Sequence, residues 1–384
     1  MVIPSAEREP WGIPPWRIDF TAPKQPLPRS VDFAVVGAGF TGLAAAARLR
    51  QLAPGKSVAV LEADRVGSGA SGRTGGIPLA ESAGGDLPGL GDVLTSFTAT
   101  LRDLQIECEL SLAGAYEIGR HGKALANSPI DWQDSGRLRV VREVPGGALD
   151  AGKLVRGLAR AAHGLGAMIF DHAAVEEMDW SENPVLRVVQ TRDGRREKMV
   201  AGRILLATNA SSLRLAGLES STHPKLALVA LTAPVTEELL AAVGLGARKP
   251  FYTVDFPYLW GRVCRGDTIM WGAGLLDPPE SGDIAQINLA AEEPTQTFAR
   301  LEQRVRGLHP ALKEIRFTHY WGGPILFRDN WRPVFAEHPR SSRAIVLGAY
   351  AGHGVALSVH LGFWAAEALL GRRELPDWGR ISQD

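Results

Sequence analysis

Three glycines and a glutamate have the spacing of a site that binds phosphate groups. Gly37, Gly39 and Gly42 lie in the run GAGFTG, and Glu62 follows about 20 residues later, as in dinucleotide-binding folds. Such glycines allow a tight turn and let a pyrophosphate approach backbone N–H groups at the start of a helix. A carboxylate at position 62 can accept hydrogen bonds from ribose hydroxyls. The pattern predicts a dinucleotide site, and the alternative is a glycine turn without a ligand.

A second glycine-rich segment, GSGASGRTGG at residues 67–76, decides between the dinucleotides. The acidic residue at position 62 disfavours the extra phosphate of NADP but does not separate NAD from FAD. A flexible glycine loop lets backbone amides come close to a flavin and its diphosphate, and Arg73 adds a cation. The segment therefore favours FAD, and the alternative is a mobile surface loop.

The elements around these residues read as a βαβ unit. Residues 32–36 (DFAVV) predict a short strand, the small and apolar run after Gly42 predicts a helix up to a break at Pro54, and residues 57–63 predict a second strand. Strands that alternate with helices indicate a parallel sheet. This unit would place the glycine turn and Glu62 at the same edge of that sheet.

The predicted architecture is an α/β fold. An FAD-binding, Rossmann-like domain with a parallel sheet is interleaved with a mostly antiparallel β domain that binds substrate. Residues 1–30, rich in Pro and Trp, predict an irregular arm packed by Trp11 and Trp16 or a disordered tail, and we favour the arm because exposed tryptophans are costly. We assign the FAD-binding domain to residues 31–85, 148–215 and 336–375, and the substrate domain to residues 86–147 and 216–335.

Composition argues against several classes of function. Lys plus Arg and Asp plus Glu number 42 each, so the chain has no basic field for nucleic acid or anionic lipid. No uncharged apolar run is long enough to span a bilayer, and the N-terminus lacks the apolar core of a signal peptide. Cys108 and Cys264, the only cysteines, have no metal-ligand spacing. We expect a cytoplasmic protein with no metal, nucleic-acid or membrane partner.

Four sequence runs carry a family resemblance. In chain order they are VVGAGFTGLAAAARL, VLEADRVGSGASGRTGG, ILLATNA and GAYAGHGVALS. Together they resemble the D-amino-acid oxidase-like (DAO) FAD-dependent oxidoreductases, a group that includes glycine oxidase, sarcosine oxidase and γ-glutamylputrescine oxidase, with the likeness strongest to the last. The resemblance covers most of residues 31–372, and it is far more specific for FAD and the fold than for the substrate.

The resemblance implies a role for each matching position. The glycine turn would hold the pyrophosphate and Glu62 the adenosine ribose, together with Phe40, Thr41 and Ala63. The ribityl chain and the ring would contact Arg65, Ser71, Gly72, Arg73, Thr74, Gly75 and Gly76. The adenosine side would be closed by Val175, Ala207, Thr208 and Asn209. The flavin pyrimidine would face a helix N-terminus, which favours the negative charge of reduced flavin, at Gly352, His353, Gly354 and Val355.

Four residues are the catalytic candidates. Tyr258 and Trp271 lie where the family places a sheet over the flavin, and each either lines the substrate site or fills the core. Arg332 could bind a substrate carboxylate, with a surface salt bridge as the alternative. His353 could assist the flavin if it is protonated, and its alternative role is a cap on the helix.

Two departures from the family pattern bear on the chemistry. No cysteine lies between Gly322 and Arg328, where some relatives attach FAD covalently, so we expect noncovalent FAD. Met270 stands where sarcosine oxidase-like enzymes have a lysine that activates oxygen, which leaves both an oxidase and a dehydrogenase open.

The predicted function is oxidation of the CH–NH bond of a small amine or amino acid to an imine, with a hydride passing from carbon to flavin N5. The electrons would then pass to O₂ or another acceptor. Two alternatives stay open at this point. One is a flavin monooxygenase that uses NAD(P)H, and the other is a non-catalytic subunit that retains FAD as a structural ligand.

Overall fold

Two eight-stranded sheets organise the chain, which the computed structural model describes from residue 9 to residue 381. The strands are β1 (Ser30–Val36), β2 (Val58–Leu61), β3 (Ala115–Gly119), β4 (Asp131–Gln133), β5 (Arg137–Val144), β6 (Met168–Phe170), β7 (Ala173–Asp179), β8 (Val185–Gln190), β9 (Arg196–Leu206), β10 (His223–Thr232), β11 (Phe251–Thr253), β12 (Trp260–Val263), β13 (Ile269–Leu276), β14 (Phe317–Phe327), β15 (Val334–His338) and β16 (Ser341–Gly348). The helices are α1 (Phe40–Leu52), α2 (Val93–Asp103), α3 (Ala151–Gly164), α4 (Leu213–Ala216), α5 (Glu237–Ala242), α6 (Glu292–Leu308) and α7 (Gly354–Leu369).

The first sheet is built around parallel strands in the order β15-β16-β9-β1-β2-β6. Strand β1 pairs in parallel with β2 and β9, while β15 is antiparallel to β16 and the hairpin β7–β8 joins β9. In this register Val36, Leu61 and Leu206 lie side by side at the carboxyl ends of β1, β2 and β9. The residues that follow these strands therefore meet at one edge, where parallel α/β sheets bind their ligands.

Small residues let α1 and α7 pack closely on this sheet. Residues 44–47 of α1 are four consecutive alanines with no exposed surface. A Cβ at Gly362 of α7 would lie 2.6 Å from the carbonyl oxygen of Thr41. The hydroxyl of Thr41, in the first turn of α1, lies 2.7 Å from that of Tyr350, in the turn before α7. The close packing thus brings two helix N-termini to the same edge of the sheet.

The second sheet has the order β14-β10-β13-β12-β11-β3-β5-β4, and its pairs are antiparallel except β3–β11. Residues of α6 cover one face of this sheet. Alternation along β10 sends Leu228 into that core and Val229 to the opposite face. The core centres on three aromatic rings with centroids 5.0–5.5 Å apart, those of Trp132, Phe251 and Trp271.

These two sheets confirm the predicted fold class. The sequence does not predict β14, because Gly322, Gly323 and Pro324 are poor strand formers. Strand β14 lies at the edge of its sheet, where a proline can be accommodated without breaking the ladder on both sides. Within residues 9–381, no helix combines the length and the apolar character that crossing a membrane requires.

Helix α2 departs from the predicted domain boundaries. A boundary at residue 86 would assign this helix to the substrate domain. Its apolar residues Val93, Phe97 and Leu101 instead pack in one core with α1, α3 and α7. The amphipathic helix therefore belongs to the helical layer of the first sheet, because that is where it buries its apolar face.

The N-terminal segment packs as an irregular arm. Trp11 is partly buried against the core of the second sheet, and the indole N–H of Trp16 donates to the carbonyl oxygen of Gly72 (2.8 Å). Gly12 forms a β-bridge with Trp321 of β14. These contacts agree with the predicted arm rather than the alternative tail. The first eight residues of that predicted arm lie outside the described residues.

Candidate cofactor and substrate site

A cavity of about 1120 Å³ opens between the two sheets. One wall comes from the carboxyl edge of the first sheet, and the other comes from β10, β11, β13 and β14 of the second sheet. Ordinary small-molecule pockets measure roughly 300–1,000 Å³. The cavity therefore has room for a dinucleotide together with a small second molecule.

The glycine turn after β1 depends on the absence of side chains. Gly37 has a φ of +105°, and a Cβ there would lie 2.5 Å from the carbonyl oxygen of Ala207. A Cβ at Gly42 would lie 1.9 Å from the carbonyl oxygen of Gly37. Both approaches are too close for any side chain, so the turn and the start of α1 can adopt this shape only with glycine.

The same turn leaves amide groups free at the N-terminus of α1. The Phe40 N–H donates to Ser71 Oγ (2.9 Å). The N–H groups of Gly39, Thr41 and Gly42 have no acceptor among residues 9–381. Unpaired N–H groups and the positive end of the helix dipole bind anions at such a position. The turn therefore fits the pyrophosphate of a dinucleotide.

Glu62 lies in the cavity wall beyond β2 and holds the glycine turn. One carboxylate oxygen accepts from the Ala38 N–H (2.9 Å) and the other from the Asp64 N–H (3.2 Å). Burial raises the pKa of the Glu62 carboxyl, and these backbone hydrogen bonds oppose the rise. Hydroxyls of a bound ribose would donate further hydrogen bonds to the carboxylate, which agrees with the predicted ribose contact.

Arg73, the predicted cation of the glycine-rich loop, is buried and already engaged. Its guanidinium donates to the Glu9 carboxylate (3.1 Å) and to four backbone carbonyl oxygens, those of Trp11, Gly12, Ser68 and Gly322. Because its donors have protein partners, Arg73 is not the free cation that the sequence suggests. Arg65 also pairs with Glu9 and lies outside the cavity lining.

The turn before α7 is strained and opens onto the cavity. Ala349, Ala351 and Gly352 have φ values of +59°, +49° and +87°, a region that residues with a Cβ seldom adopt. The Ala349 N–H donates to Asn209 Oδ1 (3.0 Å), which ties the turn to the segment after β9. No described protein atom lies within 4 Å of a Cβ built at Gly352. Space for a planar ring therefore adjoins this turn.

His353 is the N-cap residue of α7, but its side chain makes no capping hydrogen bond. The imidazole Nδ1–H donates to the Ala351 carbonyl oxygen (3.4 Å), which leaves Nε2 as an acceptor. Burial lowers the pKa of His353 below its ordinary value. The imidazole is therefore uncharged at neutral pH, and neither the capping role nor the protonated role agrees with this geometry.

Two buried hydroxyls in the cavity wall lack a partner. Thr208 Oγ1 and Ser358 Oγ make no hydrogen bond within the part of the chain that the structure describes. Buried polar atoms are seldom left unpaired, so a polar ligand in the cavity would satisfy them. Together with the free amides of the glycine turn, these hydroxyls fit the polar groups of FAD.

Most of the predicted cofactor-binding residues line the cavity, and three glycines lie behind it. A Cβ at Gly72 or Gly76 would meet a backbone oxygen within 2.3 Å, so these two, like Gly42, serve close backbone packing. The cavity lining includes Gly37, Gly39, Phe40, Thr41, Glu62, Ala63, Ser71, Arg73, Thr74, Gly75, Val175, Ala207, Thr208, Asn209, Gly352, His353, Gly354 and Val355.

The four catalytic candidates separate into two groups. Tyr258 and His353 line the cavity, whereas Trp271 and Arg332 do not. Trp271 is fully buried in the core of the second sheet. Arg332 packs against Gly84 and borders a separate cavity. Of the two roles predicted for Trp271, this position agrees with the core residue and not with a residue that lines the substrate site. The position of Arg332 gives no support to a role in binding a substrate carboxylate.

Charged residues that the sequence does not single out lie on the substrate side. Tyr252 donates to Glu81 Oε1 (2.6 Å) and to Glu117 Oε2 (3.2 Å). Arg142 contacts the same two carboxylates at 3.2 and 2.5 Å. The pairing of β11 with β3 sets Tyr252 beside Glu117. We call these four residues the acidic lobe. The aromatic segment FYTVDFPYLW marks Tyr252 in the sequence, but no local motif marks Glu81, Glu117 and Arg142, which come from three other segments.

Comparison with known proteins identifies the family. A family model for FAD dependent oxidoreductases (DAO) matches residues 32–368, which is most of the chain. The chain belongs to the DAO family of FAD-dependent oxidoreductases. This result confirms the resemblance stated from the four sequence runs, the FAD cofactor and the class of oxidoreductase.

Individual relatives of this DAO-family chain are distant. It is 24% identical to gamma-glutamylputrescine oxidoreductase of Escherichia coli (strain K12), over 92% of this chain and 87% of the relative. Its fold is similar to that of glycine oxidase from Geobacillus kaustophilus, with a TM-score of 0.69, 18% identity and coverage of 93% of this chain and 100% of the other. It is also similar to L-proline dehydrogenase from P. horikoshii, with a TM-score of 0.67, 16% identity and coverage of 91% and 95%.

We expect this DAO-family protein to be yellow when purified and to release intact FAD when it is denatured by heat or acid. Neither Cys108 nor Cys264 lines the cavity, so no cysteine is placed to attach the flavin. Flavin absorbance in the supernatant after acid precipitation measures the release. Flavin that stays in the precipitate would contradict noncovalent binding, and a colourless protein that takes up no added FAD would contradict the cofactor itself.

Proposed function

We propose that this flavoenzyme oxidises the CH–NH bond of a small amine without an α-carboxylate group. The charge of the cavity wall carries the proposal. Its charged side chains are five carboxylates and one guanidinium, those of Glu9, Glu62, Asp64, Glu81, Glu117 and Arg73. Because Arg73 is engaged by protein groups, the described wall offers a substrate carboxylate no free cation, whereas an ammonium group meets negative charge.

The acidic lobe supports this choice on the substrate side of the cavity. Arg142 is shared between the carboxylates of Glu81 and Glu117, so the lobe keeps one negative charge. Burial raises the pKa of Tyr252, and its phenol therefore keeps the proton that it donates to the carboxylates. The rings of Tyr252 and His353 lie 6.3 Å apart. An amine attracted by the lobe is thus close to the N-terminus of α7.

The chain's own residues would bind the amine, take up its proton and exclude water. Bound FAD supplies the two-electron acceptor that takes a hydride from the α-carbon. An ammonium ion must lose a proton before its nitrogen lone pair can assist that step. Since Nε2 of His353 is unprotonated and the residue lies in the cavity wall, we propose Nε2 as the acceptor of this proton. Tyr258 and Trp260, in the same wall, would keep water from the reacting bond.

The comparisons support amine chemistry over its alternatives. The relatives are named for gamma-glutamylputrescine, glycine and L-proline, and these compounds are amines or amino acids. None of these names favours the NAD(P)H-dependent monooxygenase or the non-catalytic subunit. We propose O₂ or another oxidant as the electron acceptor. The cytoplasmic location stays a prediction from the sequence.

An anaerobic substrate screen tests the proposed substrate class. FAD-loaded protein is mixed with primary and N-methyl amines, and with the α-carboxylated counterpart of each amine, while the flavin absorbance is followed. We expect an amine to bleach the flavin at concentrations where its counterpart does not. Bleaching by the amino acids in preference to the matching amines would contradict the proposal.

We expect Glu81→Gln to raise the dissociation constant of the amine about fivefold, or about 1 kcal/mol, as for a partly exposed charge. The substituted amide oxygen still accepts from Tyr252, so the geometry is preserved. Glu143→Gln is the charge-matched control, because Glu143 pairs with Lys249 outside the cavity lining. The dependence of the anaerobic reduction rate on amine concentration gives the dissociation constant of the amine for each variant and for the parent. Equal constants in the two variants would show that the acidic lobe does not attract the substrate.

A further inference from the structure

The arm at residues 9–18 forms part of the cofactor cavity. Glu9, Pro10 and Trp11 lie in the cavity wall beside the glycine-rich loop. None of the four family-like runs includes these residues, and none of them has a step in the proposed reaction, although the Glu9 carboxylate adds to the charge of the wall. The arm therefore forms part of the cofactor site, and neither the family resemblance nor the proposed reaction assigns it a function.

Glu9 ties the arm to the glycine-rich loop through two arginines. Its carboxylate pairs with Arg65 and, at 3.1 Å, with Arg73. The Arg73 side chain is only 9% exposed, whereas that of Arg65 is 62% exposed. Burial lowers the pKa of Arg73 and Glu9 opposes that shift, which keeps the guanidinium charged. Loss of the Glu9 charge would leave a buried cation with neutral partners only, which is unfavourable.

Backbone groups of the arm complete the same connection. The Arg73 guanidinium donates to the carbonyl oxygens of Trp11 (3.2 Å) and Gly12 (2.8 Å). The Trp16 indole N–H donates to the carbonyl oxygen of Gly72 in the loop (2.8 Å). The arm and the loop are thus joined along their length, from residue 9 to residue 16.

The arm is also fixed to the second sheet. The Gly322 N–H of β14 donates to the carbonyl oxygen of Trp11 (2.8 Å). Gly12 has a φ of +68°, and a Cβ there would lie 2.4 Å from the carbonyl oxygen of Tyr320. Only glycine permits this approach. The arm therefore connects the loop of the first sheet with the edge of the second sheet, and it closes the wall between them.

The indole N–H of Trp11 gives a second indication that this wall meets a ligand. The Trp11 side chain is partly buried, and its Nε1 atom is buried without a hydrogen-bond partner among the residues that the structure describes. The Arg73 guanidinium lies over the same ring, 5.5 Å from its centroid. An unpaired buried donor in a cavity wall is unusual in a folded protein, and a polar group of bound FAD would satisfy it.

We propose that Glu9 is a positioning residue for the cofactor. Acting through Arg73, Glu9 holds the arm and the glycine-rich loop together as one wall, and this wall retains FAD without a covalent bond. The time that FAD stays bound then depends on how often the wall opens. Neutralising Glu9 makes opening easier, so FAD leaves sooner, whatever substrate the enzyme oxidises.

The rate of FAD release tests this role. Holoenzyme is diluted, and the fluorescence of the freed flavin is followed over time. We expect Glu9→Gln to release FAD about tenfold faster, the change that loss of one charge-assisted hydrogen bond produces. Arg65→Met removes only the exposed partner of Glu9, so we expect a smaller acceleration. Asp131→Asn breaks an exposed ion pair with Arg137 outside the cavity lining and should leave the rate unchanged.

Melting temperatures separate cofactor retention from general stability. We expect Glu9→Gln to lower the melting temperature more with FAD bound than without it, since a weaker ligand stabilises less. A release rate equal to that of the parent would overturn the proposal, and so would an equal loss of melting temperature with and without FAD. If Glu9→Gln does not fold, Arg65→Met provides the test. Faster FAD release in this variant would support the proposed role of Glu9 in retaining FAD, and an unchanged release rate would overturn it.

Discussion

Replacing Glu62 with Ala is expected to raise the dissociation constant for FAD about tenfold or more, with little effect on the reduction of flavin that is bound. The carboxylate accepts the Ala38 N–H (2.9 Å) and lines the cavity, and we predict that ribose hydroxyls of FAD donate to it. A hydrogen bond to a charged group contributes about 1.5–3 kcal/mol, which corresponds to that loss of affinity. Titration of FAD into the apoprotein, followed by flavin fluorescence, measures the constant.

Glu62→Gln is the matched control for this substitution. The amide keeps the size of the side chain and one acceptor oxygen but loses the charge, so its affinity for FAD should lie between those of the parent and the alanine variant. An unchanged affinity in both variants would show that Glu62 is misassigned as a cofactor residue.

Gly352→Val is expected to slow flavin reduction by amine roughly 10- to 100-fold, because a valine at positive φ costs about 1–3 kcal/mol. Relief of that strain would move the turn and turn the N–H groups of α7 away from the flavin. A Cβ at Gly352 would meet no described protein atom within 4 Å, so crowding by protein atoms would not cause the slower reduction. The valine side chain would instead enter the cavity. The flavin midpoint potential should fall at the same time, since those N–H groups favour reduced flavin.

His353→Ala distinguishes the effect of the N-terminus of α7 from the effect of the His353 imidazole. The turn and the N–H groups stay in place, and the neutral imidazole adds no positive charge, so we expect little change in midpoint potential. Reduction by amine should still be slower if Nε2 accepts the substrate proton. If both the Gly352 and the His353 variants match the parent in potential and in reduction rate, α7 does not face the flavin ring.

The cofactor half of the site can be predicted from the sequence because its elements are local. Gly37, Gly42 and Glu62 belong to one βαβ unit, and parallel pairing of neighbouring strands brings them together without help from distant segments. The geometry at Gly37 and Gly42 requires glycine, and a ribose contact requires an acceptor such as Glu62, so the residue types carry the prediction. The role of Arg73 differs because distant segments, the arm and β14, use its guanidinium. The role of His353 differs because burial, which the local sequence does not show, lowers the pKa of its imidazole.

The substrate half and the arm depend on contacts between distant segments. Glu81 and Tyr252 are 171 residues apart, and Glu9 and Arg73 are 64 residues apart. Only the order of strands in the second sheet and the path of the arm bring these groups together. Trp271 shows the same limit, since an aromatic residue in a strand can face either the core or the cavity.

The most direct test of the account is to mix FAD-loaded protein anaerobically with a small amine and, in separate samples, with NADH and NADPH. The absorbance of oxidised flavin is recorded until it is constant. We predict that the amine bleaches the flavin completely without any other reductant, and that NADH and NADPH do not bleach it. Reduction by NADH or NADPH without amine, or an unchanged flavin spectrum with every amine and amino acid tested, would contradict the assignment of this chain as an amine-oxidising flavoenzyme.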